Sequence, residues 1–247
     1  MNIEIAGGRV IDPAAGSERA ASVYISDGRI AGIGAAPAGF AAARTIDARG
    51  LSVCPGLVDL SARLREPGFE YKATLESELD AACAGGVTSL ACPPDTDPPL
   101  DEPGLVEMLT HRARSLHKVR VHPVGALTQG LAGTEITEMN ELAEAGCVAF
   151  SQADRPIADT QVLLRAMQYA ATFGFSVWMR AQDAWLGKGG VAHEGEIATR
   201  LGLAGIPSLS ESLALATMIA LARETGARLH VCRISAAESV DRVRAAQ

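Results

Sequence analysis

The period of hydrophobic and polar positions changes near residue 53. Before it, short apolar runs are broken by turn residues. Val23-Tyr24-Ile25-Ser26 and Arg29-Ile30-Ala31-Gly32-Ile33 flank Asp27-Gly28, a two-residue hairpin signal in which glycine accepts positive φ. The pattern predicts a small β region over residues 1–52. After it, apolar runs at 53–60, 87–92, 119–126, 147–151, 176–181 and 228–235 predict strands. Most are continuous rather than alternating, which suits parallel strands buried on both faces. The intervening segments carry helix-end signals. Asp159 is placed to cap a helix running to Gly174, and Ser208-x-x-Glu211 reads as a capping box before a helix ending near Gly226. Ser235-x-x-Glu238 opens another. Strand–helix alternation argues for an α/β fold with a parallel sheet. A doubly wound open sheet fits the same alternation, but no GxGxxG supports it.

Only six βα units are present, whereas a (β/α)8 barrel closes with eight and leaves no unpaired edge. A six-stranded sheet exposes two edges and an apolar interior. The expectation is therefore an N-terminal portion of a protein of about 400 residues or more, with later strands completing both parts.

Composition narrows the partners. The 247 residues are 48% hydrophobic, enough for a large core. A net charge of −7 without a basic stripe excludes the usual nucleic-acid footprint. No apolar run reaches the roughly 18 residues of a membrane span. Glu4 and Gly7-Gly8 interrupt any signal-peptide pattern. A cytoplasmic protein is expected. The 5 cysteines form no CxxC and lie mostly in apolar segments, so they are expected as buried free thiols in a reducing compartment.

The segment Pro55-Gly56-Leu57-Val58-Asp59-Leu60-Ser61-Ala62-Arg63-Leu64-Arg65-Glu66-Pro67-Gly68 resembles the first barrel strand of the dihydroorotases, which are metal-dependent amidohydrolases. Their pattern there is Pro-Gly-x-x-Asp-x-His-x-His-x-Arg-x-Pro-Gly. Further matches follow in order: Gly85-Gly86-Val87-Thr88-Ser89 with Pro94-Asp95-Thr96-Asp97-Pro98-Pro99, then Val148-Ala149-Phe150-Ser151. Gly189-Gly190-Val191, Glu194-Gly195-Glu196, the stretch from Arg200 to Pro207, and Thr225 to His230 continue it. The resemblance spans essentially the whole chain. It implies a (β/α)8 TIM-type amidohydrolase barrel, with residues 1–52 forming the N-terminal part of a small β-sandwich domain and 53–247 the first six βα units.

Carried across residue by residue, the family's metal shell is replaced. The two zinc-binding histidines of the first strand correspond to Ser61 and Arg63, and the acidic ligand falls at Gln152 or Ala153. The histidines of strands five and six correspond to Arg180 and Arg233. The catalytic aspartate of strand eight would lie past residue 247. A serine hydroxyl is a poor zinc ligand, and a guanidinium has no lone pair to offer. Without metal, nothing lowers the pKa of the attacking water from about 15.7 toward 7. No zinc and no other cofactor are expected. Arg65 matches the arginine that pairs with the substrate carboxylate, while Asp95 replaces an asparagine and would repel that group.

Two roles suit the arginines. They can plug the vacated polar volume by pairing with Asp59, Asp95, Asp154 or Asp183, because unpaired buried polar groups are costly. Alternatively, with Arg65 they form an anion pocket, since guanidinium forks suit carboxylate and phosphate. His111, His117, His122, His193 and His230 are scattered and rebuild no metal site. Gly187 to Gly190 lacks the spacing of a phosphate loop. The resemblance then implies a non-catalytic dihydroorotase homologue of pyrimidine biosynthesis. It is similar to the inactive subunits that associate with the aspartate transcarbamoylase catalytic subunit in some bacteria and support its assembly, so a homo- or hetero-oligomer is expected. The alternative is an active zinc-dependent dihydroorotase or cyclic amidohydrolase converting dihydroorotate to carbamoyl aspartate. An anion-sensing regulatory subunit is compatible with the first reading.

Overall fold

A computed structural model describes residues 1–247. The chain forms two compact units, Met1–Leu57 and Val58–Gln247. The first contains β1 (Ile3–Asp12), β2 (Ser17–Ser26), β3 (Arg29–Ile33), β4 (Arg44–Asp47) and β5 (Ser52–Val53). The division falls beyond the 52/53 boundary suggested by the sequence because β5 pairs with β1, Arg9 opposite Ser52 and Val10 opposite Val53. The stretch expected to feed a β-sandwich forms one five-stranded sheet, ordered β3-β2-β1-β4 with β5 also on β1. β1 is long enough to hold two partners in succession along one edge, β4 at Ile3–Ala6 and β5 at Arg9–Val10. A Cβ on Gly8 would lie 2.5 Å from Val53 Cγ2, so this close approach requires glycine. The β2–β3 hairpin turns at Asp27 (φ 50°) and Gly28 (φ 75°), both left-handed as its turn type requires.

The second unit's main elements are β6 (Leu57–Asp59), α1 (Leu75–Ala84), β7 (Val87–Cys92), α2 (Pro103–Leu116), β8 (Arg120–Ala126), α3 (Met139–Glu144) and β9 (Ala149–Ser151). They continue with α4 (Thr160–Phe173), β10 (Ser176–Arg180), β11 (Ala192–His193), α5 (Glu196–Arg200), β12 (Gly205–Ile206), α6 (Ser208–Thr225), β13 (Arg228–Cys232) and α7 (Ala237–Ala246). Six strands form a curled sheet in the order β6-β7-β8-β9-β10-β13, with parallel pairing from β7 through β13. This is the α/β architecture of a TIM-type barrel, laid out strand by strand in chain order. β11 and β12 make a separate parallel pair in the long β10–α6 connection. The run 53–60 is two short strands, β5 and β6, rather than one.

The expectation of strands apolar on both faces is refined by side-chain size. On the helix-facing side Leu90, Phe150, Val177 and Met179 join Leu79, Leu109, Met167 and Leu215 of the helices in the main core. On the other side Ala91, Val124 and Ala149 make a small layer packed against Trp178. Large residues point out and small ones in, leaving inward space for one indole. No helix is long and apolar enough to cross a membrane. Cys92 and Cys147 are buried free thiols, Cys232 is half-buried, and Cys54 and Cys83 are exposed, contrary to the general expectation of burial.

The Asp159 cap forms, with its carboxylate accepting the Gln161 N–H at 2.8 Å, and α4 ends on Gly174 in the left-handed region. The other two capping boxes do not form. Pro207 precedes α6 with no side-chain cap, and Ala236 stands at the N-cap of α7. Glu211 of α6 instead reaches the start of α7, accepting from Ser235 N–H (2.9 Å), Ala236 N–H (2.9 Å) and Ser235 Oγ (2.5 Å). The same long-range device opens α1, where buried Glu66 accepts the Leu75 N–H at 2.8 Å and pairs with Arg112 of α2.

Candidate functional site

The C-terminal ends of β6, β7, β9, β10 and β13 and the residues just past them bring the singled-out side chains together. Beyond β6 the chain still runs beside β7, since Ala62 N–H donates to Ala91 C=O at 3.0 Å, and this carries Arg63 to the strand-end face. Arg63 spans two carboxylates: Nε donates to Asp95 Oδ2 at 2.6 Å and Nη2 to Asp154 Oδ2 at 2.7 Å. Arg180 Nη1 reaches Asp154 Oδ1 at 3.4 Å. Arg233 grips the same carboxylate with both terminal nitrogens, Nη1 to Oδ2 at 3.3 Å and Nη2 to Oδ1. Asp154 is thus a hub for three guanidiniums arriving from three strand ends.

Of the four aspartates that the sequence offered as partners, Asp95 and Asp154 are used. Asp59 instead accepts the Ser61 N–H at 2.8 Å, and Asp183 accepts the N–H groups of Trp185 and Leu186. Asp95 keeps one oxygen, Oδ1, buried and without a partner. Gln152 is not in the cluster. It is fully buried, and its Nε2 donates to Thr128 Oγ1 at 2.8 Å, which also accepts the Gly133 N–H at 2.9 Å. Ala153, in the left-handed region at φ 51°, turns the chain before Asp154. Alignment to the family pattern pointed to 152 or 153, whereas the carboxylate that meets the arginines sits at 154. Arg65 stands apart with φ 64°, and its guanidinium makes neither ion pair nor hydrogen bond.

Two cavities adjoin the cluster. A small one of about 50 Å³ is lined by Ser61, Arg63, Trp178, Cys232 and Arg233. A larger one of about 260 Å³ lies between the ends of β10 and β13 and the first turns of α6 and α7, with Arg180, Arg233, His193, Ser208, Ser210 and Glu211 in its wall. Burial, followed by the charge of Arg63, holds the Arg233 pKa below its ordinary value. Burial alone would raise the Glu211 carboxyl, but the hydrogen bonds it receives at the start of α7 keep it below the usual carboxylate range.

The residues present do not fit a divalent metal. Nowhere do three His, Cys, Asp or Glu side chains converge. Both carboxylates of the cluster are held by guanidiniums, which offer no lone pair. Burial raises the pKa of Cys232, so this neighbouring sulfur stays a thiol rather than the thiolate a metal requires. His230 has its ring 5.0 Å from that of Trp178, in the apolar layer below the cluster. His193, on β11, lines the larger cavity, where Glu211 is the one carboxylate and no second histidine completes a ligand set, while His111 lies on α2, His117 at its left-handed end and His122 on β8.

The family model described as Dihydro-orotase-like matches residues 50–239. A "Dihydroorotase-like protein" of Pseudomonas aeruginosa and another of Pseudomonas putida are each 47% identical over all 247 residues. A "Dihydroorotase" of Syntrophotalea carbinolica is 41% identical over the same span. The chain spans 58% of the length of each of these relatives. Among solved structures, an L-hydantoinase (dihydropyrimidinase) from Arthrobacter aurescens superposes with a TM-score of 0.82 at 23% identity, covering 99% of this chain and 55% of that one. At that identity the likeness is one of fold.

Proposed function

The chain belongs to the dihydroorotase-like family, and from that premise we propose that it is a non-catalytic member whose role is to support assembly of aspartate transcarbamoylase in pyrimidine biosynthesis. The observation that carries the non-catalytic part is the convergence of Arg63, Arg180 and Arg233 on Asp154. In the family this face of the barrel holds the zinc-binding histidines. Here three guanidiniums occupy it, and a metal cation placed among them would meet repulsion in place of donors. The partner rests on the resemblance to inactive dihydroorotase-type subunits. The acidic chain, with no basic stripe, is consistent with a protein partner in preference to a nucleic acid.

The rival reading is an active hydrolase, which the 41% identity to a protein named dihydroorotase favours. Protein purified from its native host decides between them by elemental analysis together with dihydroorotate turnover. The proposal expects zinc far below one equivalent and no turnover above the blank; stoichiometric zinc with turnover establishes the rival. Affinity isolation from the same host tests the partner: aspartate transcarbamoylase is expected to co-purify, and its absence removes the assembly role.

A further inference from the structure

We propose that the cavity between the ends of β10 and β13 and the starts of α6 and α7 is a binding site for a small oxyanion, of the phosphate or carboxylate class, held by Arg180 and Arg233. The inference rests on the metal-free reading of the same cluster and adds a ligand to it. Its first support is the pairing of charge. Three guanidiniums, of Arg63, Arg180 and Arg233, are ion-paired to two carboxylates, those of Asp95 and Asp154, and the carboxylate of the cavity wall, Glu211, pairs with none of them.

The second support is unused hydrogen-bonding capacity facing a cavity. A guanidinium has five N–H donors in a fixed fork. Arg180 uses a single one, at 3.4 Å from Asp154, and Arg233 leaves Nε unused. Both side chains line the 260 Å³ cavity, which lies below the ~300–1,000 Å³ range of sites for drug-sized ligands and so suits a smaller molecule. The rest of the wall does not oppose an anion. Ser208 and Ser210 belong to the first turn of α6, which no side chain caps. Glu211 is the one carboxylate in the wall, and the start of α7 already engages it through Ser235 and Ala236. A bound oxyanion would take the free edge of Arg180 and the free Nε of Arg233, leaving Asp154 as the hub behind them.

Isothermal titration of the full chain in low-salt buffer free of other oxyanions tests this, with inorganic phosphate in one arm and succinate in the other. Saturable binding of either at one site per chain is expected, and the arm that binds identifies the class. Arg180→Gln should weaken that binding roughly tenfold or more, the value of a charge-assisted hydrogen bond. Arg180→Lys, which keeps the charge without the fork, should weaken it several-fold. Arg244→Gln, at an exposed residue whose side chain pairs with Asp241, should leave it unchanged. Because Arg180 contributes one long contact to the hub, its variants should retain the native thermal midpoint. Failure of both anions to bind overturns the proposal, as does binding that persists undiminished in both Arg180 variants. Zinc content and turnover decide the non-catalytic reading separately, so the two can fail independently.

Discussion

The inward face of the curled sheet has two levels that obey opposite rules. Lower down, Ala91, Val124 and Ala149 are small and apolar and meet one large ring, Trp178, whose indole N–H is satisfied by Ser176 Oγ at 3.0 Å. At the strand ends, the side chains are long and charged, and they meet one short carboxylate, Asp154. The lower level is held by shape and the upper by charge. A few residues of travel along the same strand, from Trp178 to Arg180, separate them. The packing that holds the strands therefore does not depend on the groups at the rim, so the rim can carry different chemistry on the same scaffold.

The largest effect should come from breaking the lower level. Trp178→Ala removes the ring that fills the inward space and leaves Ala91, Val124 and Ala149 facing a void. A cost of about 3 kcal/mol is expected, at the low end for tryptophan truncation because Trp178 is only half-buried. Urea unfolding reads this as a lower midpoint, and an unchanged midpoint would mean that the layer is not held by packing. Next is Asp154→Asn, which keeps the shape of the hub and removes its charge. Asp154 is 38% exposed, and Arg63 25%. The cost should thus lie between the near-zero value of surface pairs and the 3–5 kcal/mol of broken buried ones, at about 2 kcal/mol. The same variant sharpens the contrast through salt: raising ionic strength should narrow its gap from the native protein but leave that of Trp178→Ala nearly constant. Equal salt dependence in both would erase the distinction between the levels.

How far the sequence foretold this follows from what is local. β7, at Val87–Cys92, and α4, between Asp159 and Gly174, were legible to the residue or nearly so, because a buried run or a pair of caps declares itself within a few positions. The six-strand order followed from the family resemblance, since the alternation alone also fitted a doubly wound sheet. The arginines Arg63, Arg180 and Arg233 were legible as a set, and Asp95 and Asp154 were named among their partners. The failures involve side chains that act across the chain. Ser208-x-x-Glu211 has the letters of a capping box, yet Glu211 serves the start of α7, accepting from Ser235, 24 residues further along the chain. Gln152 stood at the matched ligand position, but the left-handed turn at Ala153 hands the role of meeting the arginines to Asp154. Glu66, lying inside the first-strand motif, gave no sign that it opens α1 and binds Arg112. The alternation of large and small residues along the inner and outer faces was hidden inside runs that are apolar throughout.

Glu211 offers the finest test, because it sits in the upper level without joining the arginines. Its carboxylate lines the cavity beside Arg180 and Arg233 but bonds to the start of α7. Its folded pKa is lowered from the usual 4.5, since the charged form receives hydrogen bonds that the unfolded chain does not supply. A lowered folded value means that the native state binds fewer protons than the unfolded one. The resulting stability is present in full above the unfolded value and is lost as pH falls through the folded one. Glu211→Gln should therefore cost about 1 kcal/mol at neutral pH, the value of a helix cap. The gap from the native protein should close as the pH is taken below 4.5, with the two denaturation curves converging. If α7 were held by packing against α6 alone, the native and Glu211→Gln curves would run parallel down to acid. If Glu211 instead served the arginine cluster, removing its charge would also change oxyanion titration at the cavity. Convergence without any change in anion affinity would show that the upper level contains two independent charge systems, one closing a helix and one facing the cavity.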